Sequence, residues 1–386
     1  MFVKHLTLSH FRNHKNSEIP FEPGITLFLG PNGMGKTNCV EAIEYLSTLS
    51  SHKVAGYLPL IMQNEEQSII RLKASFAERE VRLDVELNRE KPNLARLNQS
   101  PVKRLRDLVG IVQTVVFTPD DVDIIKRDPS NRRNFIDQLL IQLTPRMAGV
   151  IADYERVLKQ RNTLLKTARA TGTRGSSLST LDAWDESLIK YGSEIIAGRL
   201  ALIERLIPET IKNYEALATD RKLPRIAMKS SIVGASFNEE DEVDGEFLTI
   251  DKLQEIPNLF RAKLTEVRNK ELERGLTIVG PHRDDLVLYL GELLAKGYAS
   301  NGECWSYALA LKLACADLLR QDSRTGDPVI ILDDVFAELD AMRRTRLAEM
   351  VAHNEQVLIT AAAIEDVPDT LNYKIYRVKD GAISNE

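Results

Sequence analysis

The chain has 386 residues, a formal net charge of −5, 43% hydrophobic and 28% charged side chains, which is material for two or three domains with sizeable cores. No apolar stretch reaches the 18 residues of a membrane helix, and Lys4, His5 and Arg12 near the start argue against a signal peptide, so a cytoplasmic protein with no membrane partner is expected. Cys39, Cys304 and Cys315 have neither disulfide nor metal spacing and read as small core residues, and the six histidines form no metal-spaced cluster.

Residues 2–8 alternate as a half-buried strand, and a turn at 19–24 leads to a second apolar run, Ile25 to Leu29. The segment Gly30-Pro31-Asn32-Gly33-Met34-Gly35-Lys36-Thr37-Asn38 follows, and apolar residues at 39/40, 43 and 46 then recur at helical spacing. Strand, glycine loop and helix in that order make a phosphate-binding loop. Glycines let successive N–H groups turn inward, the helix N-terminus adds partial positive charge, and a nucleoside triphosphate is held by main chain. Lys36 is expected to reach the β and γ phosphates and the Thr37 hydroxyl to take a Mg²⁺ position. Ser68–Leu72 and Val81–Leu87 read as further strands about a charged turn, Glu78-Arg79-Glu80, in an antiparallel sheet beside the nucleotide core.

Val112–Phe117 is a buried-strand run, stopped by Thr118-Pro119-Asp120-Asp121. Residues 126–175 then carry eleven Lys or Arg against four acids, while the loop Glu239–Glu246 is strongly acidic. Such segregation points to an anionic partner on the basic part, with a solvated helix face as the plainer alternative. The middle is helical. Val150, Tyr154, Val157, Arg161 and Leu164/Leu165 share one helix face, a Gly/Ser/Thr stretch at 171–177 breaks it, and Leu181, Trp184, Leu188, Tyr191, Ile195, Gly198 and Leu202 make a second helix. These form a short antiparallel pair, with Pro208 expected to end or kink the second member. A further helix is expected from Asp251 to about Glu273, a strand at Leu286–Leu290, and another ending near Tyr298.

Ser300-Asn301-Gly302-Glu303 opens a long helix and resembles the ABC signature, in which the serine and helix end of one subunit complete the phosphate site of another. Val329–Leu332 is a fully apolar strand ending in Asp333-Asp334, a Walker B element. Asp333 is expected beside the Thr37-bound metal, and Asp334 is expected to polarise the attacking water. Glu338-Leu339-Asp340 resembles a D-loop.

Assembled, these pieces resemble the RecF family of bacterial recombination mediators, whose ABC-type head is like that of SMC proteins. The likeness runs over essentially the whole chain. It is carried by Phe11-Arg12-Asn13, the loop at 30–38 with Glu41-Ala42-Ile43, Pro119-Asp120-Asp121, Pro129–Asp137, Leu158-Lys159-Gln160-Arg161-Asn162, Trp184-Asp185, Gly280–Leu286 and Leu332–Asp340. It implies an α/β ABC-type P-loop ATPase head, lobe I, formed by residues 1–118 and 325–386. A mainly helical lobe II at 119–324, containing the helix pair, is inserted in it. The resemblance further implies a slow DNA-dependent ATPase with ATP and Mg²⁺ as cofactors, dimerising on ATP and binding single-stranded, double-stranded and gapped junction DNA. RecR and RecO are the implied partners, and loading of RecA is the implied outcome.

The candidate residues are Lys36, Asp333 and Asp334 for catalysis and Gly30 through Asn38 for the nucleotide, with Arg12 added by family likeness. Thr37 and Asp333 are assigned to the metal, Ser300, Gly302 and Glu303 to a site completed in trans, and Asp340 to the D-loop. Lys126, Arg127, Arg132, Arg133, Arg156, Lys159 and Arg161 are assigned to DNA. His282, Arg283 and Asp284 read either as a coupling element or as a buried structural network. Departures from the family are Arg127 in place of glycine, Glu303 in place of glutamine, and Asp334 in place of the glutamate of ABC proteins, which predicts slow turnover. An ABC transporter subunit is the alternative. It is disfavoured by Thr118 where a Q-loop glutamine is expected and by the absence of a histidine after the last core strand, at Thr360–Ala363. A small-molecule phosphotransferase, the third reading, would have no need of the signature or D-loop.

Overall fold

A computed structural model describes residues 1–76, 79–172, 179–219, 222–234, 247–323 and 326–385. The acidic loop and most of the Gly/Ser/Thr break noted above lie outside these residues.

The chain begins with a hairpin of β1 (Phe2–Phe11) and β2 (His14–Pro20), and β3 (Gly24–Leu29) runs into the phosphate loop and α1 (Lys36–Thr48). Strands β4 (Gln67–Phe76), β5 (Arg79–Asn88), β6 (Leu94–Leu97) and β7 (Ser100–Pro101) complete an antiparallel sheet in the order β2-β1-β4-β5-β6-β7. Arg79 and Glu80, expected in a turn, pair instead with Phe76 and Ser75 as the first rungs of β5. After β8 (Thr114–Phe117) come α2 (Asp123–Lys126), α3 (Pro129–Leu143), α4 (Met147–Thr171) and α5 (Ser179–Leu217). β9 (Pro224–Lys229), β10 (Phe247–Leu248), α6 (Ile256–Arg274), β11 (Asp285–Leu290), β12 (Leu293–Leu294) and a short turn of helix, α7 (Ala295–Tyr298), follow. The chain closes with α8 (Asn301–Asp322), β13 (Val329–Asp333), α9 (Ala341–Val351), β14 (Gln356–Ala361), β15 (Tyr373–Lys379) and β16 (Ala382–Asn385).

The central sheet has the order β16-β15-β3-β14-β13-β8, parallel except for β16. Its inner strands are largely apolar because both faces are covered. Phe28, Val116, Ile331 and Leu358 point into the layer shared with α1 and the antiparallel sheet. Their neighbours Leu27, Phe117, Leu332 and Ile359 point into the helical layer. One-residue alternation thus divides the sheet between two cores.

Two expectations from local sequence are narrowed. Pro208 does not end the second helix: it lies inside α5, which runs on to Leu217. The burial of Leu206, Tyr214 and Leu217 in the helical core outweighs the hydrogen bond that proline removes. The strand expected to end near Tyr298 is only the two residues of β12, because Gly297 turns the chain at φ 85°.

Arg161, assigned to DNA from charge alone, is fully buried. Its Nε donates to Asp185 Oδ1 at 2.6 Å, Nη2 to Glu271 Oε2 at 2.6 Å and Nη1 to Thr277 Oγ1 at 2.8 Å, which clamps α4, α5 and α6 together. Arg161→Met strands two carboxylates, one of them wholly buried, and should cost about 3–5 kcal/mol. The exposed Arg156, paired with Asp153 on its own helix, should cost under about 0.5 kcal/mol on the same change. Urea unfolding followed by circular dichroism measures both, and equal losses would remove the clamp from this account.

Candidate nucleotide-binding site

β14 lies between β3 and β13, with Thr360 level with Asp333 on one side and Phe28 on the other. The phosphate loop and the Walker B carboxylates therefore meet at the carboxyl ends of β3 and β13, on either side of β14, where α/β sheets bind ligands. Gly35 caps α1 at φ 108°, a left-handed conformation that β-carbons disfavour. A Cβ on Gly30 would lie 2.3 Å from the Val378 carbonyl oxygen, so only glycine lets β15 pass behind the loop.

Lys36 and Thr37 begin α1 and are both buried. Lys36 Nζ donates to Gly30 O at 2.7 Å and Pro31 O at 3.2 Å, and burial lowers its pKa against the pull of Asp334 and Asp333. Thr37 Oγ1 donates to Asp333 Oδ1 at 2.7 Å, and Thr360 Oγ1 donates to the same oxygen at 2.7 Å. Burial alone would raise the pKa of Asp333, but contacts with His52, Thr360 and Thr37 hold it below the ordinary carboxylate value. Asp334 goes the other way, raised by burial and by Asp333 beside it. Its backbone is left-handed, φ 53°, with its N–H on Thr360 Oγ1 at 3.0 Å. Adjacent carboxyls with opposite shifts suit opposite tasks, an ionised metal ligand and a proton acceptor. A cavity of about 150 Å³ lies beside Asp334, lined also by Asn32, Pro119, Glu338, Thr360 and Ala362.

A supporting layer fixes the loop from behind. Asn13 Nδ2 donates to Met34 O at 3.0 Å and Asn38 Nδ2 to Asn13 Oδ1 at 2.7 Å, while the buried His14 bridges Gly35 O and Gly381 O. Arg12, assigned to the nucleotide by family likeness, is bidentate to the buried Glu41 at 2.9 and 2.5 Å. His52 had no sequence signal, being a lone histidine after α1. It lies with Nδ1 2.5 Å from Glu44 and Nε2 3.4 Å from Asp333. Burial disfavours its charge, yet the two carboxylates hold its pKa up at about 9. Thr360 and His14 were missed for the same reason, since neither belongs to a local motif.

Ser300 caps α8, accepting from Glu303 N at 3.3 Å while Glu303 Oε2 accepts from Ser300 N at 2.7 Å. This is a capping box, which glutamate serves as well as glutamine, and it accounts for the departure at 303. Gly302 lies under the Arg343 guanidinium, where a Cβ would come within 2.8 Å of Nη2. Arg343 also pairs with Asp340, which caps α9, and donates from Nε to Ser306 at 2.9 Å. Signature and D-loop are thus tied together, while among the described residues no hydrogen bond joins Ser300, Gly302 or Glu303 to the phosphate loop.

The DNA candidates separate by burial. Lys126 and Arg127 are exposed, the first bonded to Asn301 at 2.6 Å and the second to Asp123 at 2.7 Å, and Arg156 and Lys159 are exposed on α4. Arg132 is a correction like Arg161. It is buried and bidentate to Asp285, so it joins α3 to β11. Arg133 is half-buried against the Asp284 carbonyl. His282, Arg283 and Asp284 sit among Tyr154, Thr277 and Ser231, a largely buried set.

A largely parallel sheet presenting this loop, the Walker B carboxylate and a capped signature helix has the layout of an ABC-type P-loop ATPase head. The family model described as RecF/RecN/SMC N terminal domain matches residues 2–384. The DNA replication and repair protein RecF of Clavibacter sepedonicus is 50% identical over 99% of this chain and 95% of that relative. The protein of the same name from Streptomyces avermitilis is 51% identical over 99% of both. A solved structure of the recombination mediator protein RecF-ATP in the RecFOR pathway superposes with a TM-score of 0.85 at 27% identity, covering 100% of this chain and 97% of that one. An Smc head domain matches in fold, at a TM-score of 0.53 and 16% identity. The chain belongs to the RecF family, which sets the transporter alternative aside.

Glu303 offers a pH signature. The hydrogen bond from Lys222, at 2.6 Å, and those with Ser300 hold its pKa at about 2. A carboxyl whose folded pKa is depressed contributes stability above its unfolded pKa and loses it as pH falls toward the folded one. The stability advantage of wild type over Glu303→Gln should therefore shrink as pH falls from about 5 to about 3. Thermal midpoints across that window read it, and a pH-independent difference would assign Glu303 a neutral cap role only.

Proposed function

We propose that the protein is an ATP-gated, DNA-binding recombination mediator in which two heads close on two ATP molecules. The observation that carries the reading is the shared hydrogen bond of Thr37 and Thr360 to Asp333 at the mouth of the phosphate loop. A hydroxyl and an ionised carboxylate oxygen 2.7 Å apart fit two sites of a Mg²⁺ shell, the usual companion of a triphosphate. Lys36, freed from the loop carbonyls, neutralises the β and γ phosphates, and Asp334 accepts the proton of the attacking water. Its short side chain favours slow turnover, so hydrolysis serves as a switch.

The absence of bonds between signature and phosphate loop within the described residues suits completion of the site by a second copy. In that dimer Ser300 and the α8 N-terminus face the partner's γ phosphate. Lys126, Arg127, Arg156 and Lys159 then supply phosphate contacts to DNA, with gapped or single-strand/double-strand junctions the substrates that the family likeness implies. RecR and RecO as partners, and loading of RecA, rest on that likeness alone.

The test follows oligomeric state by light scattering and DNA binding by anisotropy without nucleotide, with ADP and with ATP. ATP alone should double the mass and tighten binding to gapped DNA at least tenfold, about 1.4 kcal/mol, and Lys36→Met should lose both. Changing Arg127 and Lys159 together to Gln should lower the slope of log affinity against log salt by roughly 0.9 per lost contact. ATP binding that produces neither dimer nor DNA complex at low salt would reject the gated clamp.

A further inference from the structure

A second recess, outside the nucleotide site, opens between the first turn of α3, β11 and the turn after β12. Its volume is about 550 Å³, in the range of ligand pockets. Arg132, Arg133, Lys229, Arg283 and Lys296 line it against the two carboxylates Asp128 and Asp285, a net of three positive charges. Arg132 and Asp285 satisfy each other.

Arg133 and Arg283 are the unusual pair. Each is half-buried, and each is bonded to a backbone carbonyl, Arg133 Nη1 to Asp284 O at 2.8 Å and Arg283 Nη2 to Thr277 O at 3.4 Å. Among the described residues neither has a carboxylate within ion-pair distance, and Arg283 Nε is buried without a partner. Asp285, Asp284 and Asp137 act on Arg133 only from beyond ion-pair distance, so an arriving anion would meet guanidiniums that have no ion pair of their own. The neighbouring His282 is held neutral, pushed down to about 4 by burial and by Arg283 and Arg133, so it adds no charge of its own.

The chemistry beneath these cations is apolar. Ile125, Pro129, Leu288 and Leu294 line the floor. Nucleic-acid backbones are met by exposed cations along polar tracks, whereas here the cations are fixed against main chain around an apolar floor. The first turn of α3 has no side-chain cap, and β12 is the edge strand of its sheet. The edge strand leaves main-chain hydrogen-bonding capacity at the rim of the recess, the arrangement that holds an extended peptide.

We propose that this groove binds an acidic, extended peptide segment of a partner protein, with carboxylates at Arg133 and Arg283 and an apolar side chain on Leu288 and Leu294. The site absorbs the Gly280–Asp285 motif, for which the nucleotide reaction has no use. It requires no ATP, so it stands or falls apart from the clamp.

Fluorescence anisotropy on the full chain without nucleotide tests it, with a labelled Asp-Glu-Asp-Leu-Phe peptide and a matched Asp-Glu-Asp-Ser-Ser peptide. The first should bind with a Kd below about 100 µM and the second at least tenfold more weakly. Arg133→Gln with Arg283→Gln should weaken the first at least tenfold. Lys296→Glu, on the exposed rim, should weaken it about fivefold with an unchanged thermal midpoint, which guards against misfolding of the buried pair. No binding of the first peptide, equal binding of the two, or indifference to Lys296→Glu overturns the proposal. Displacement by a 15-nucleotide single strand, or by tripolyphosphate, at lower concentration than unlabelled peptide also overturns it and assigns the groove to phosphate.

Discussion

One carboxylate oxygen, Asp333 Oδ1, organises this molecule. It accepts from Thr37 at the start of α1 and from Thr360 at the end of β14, both at 2.7 Å. Hydrogen bonds to a charged acceptor in a dry site contribute about 1.5–3 kcal/mol each, and the one from Thr37 joins parts of the chain 296 residues apart. The strand order makes the meeting possible. β14 lies between β3 and β13, so Thr360 at its end stands between loop and carboxylate and can bond Asp333. The whole intervening half of the chain is constrained to leave β8 and return at β13 on neighbouring tracks.

Buried charge does a different job in the helical layer. Arg161, Arg199 and Arg132 each lie at a junction between helices or between helix and strand, and each meets carboxylates from another element. Apolar side chains could fill those junctions without specifying which helix neighbours which, and a bidentate arginine fixes partner and angle together. This layer is where local charge reads most misleadingly. The excess between 126 and 175 is a count along the chain, and much of it is cancelled in space by Asp185, Glu194, Glu271 and Asp285 from outside the segment.

That contrast explains what the sequence makes legible. The phosphate loop, Walker B strand, signature and D-loop are each defined within a few residues, because glycine conformations and helix starts are local properties, and all four stand where the pattern puts them. His52, His14, Thr360 and Arg343 act through partners remote along the chain, and no periodicity marks them. Pro208 does not end α5 because propensity is a weak term beside the burial of an entire helix face. Arg132 and Arg161 were misassigned because burial, and not charge, decides whether an arginine meets solvent.

The signature end of α8 is the place where these layers join. Lys126 holds Asn301, Lys222 holds Glu303, and Arg343 presses on Gly302 while pairing with the D-loop Asp340. Three cations from three separate elements therefore converge on one helix start whose own dipole is positive. The capping carboxylate of Glu303 offsets part of that charge, and the rest is available to an anion approaching along the helix axis. An anion delivered there by a second copy would compete for the same cations that now bond Asn301, Glu303 and Asp340. Through Lys126 that competition reaches the exposed end of α2, beside Arg127, without passing through the central sheet. On the proposed gated clamp, the route from phosphate to basic surface would run through Lys126 and its hydrogen bond to Asn301 rather than through any repacking of the core.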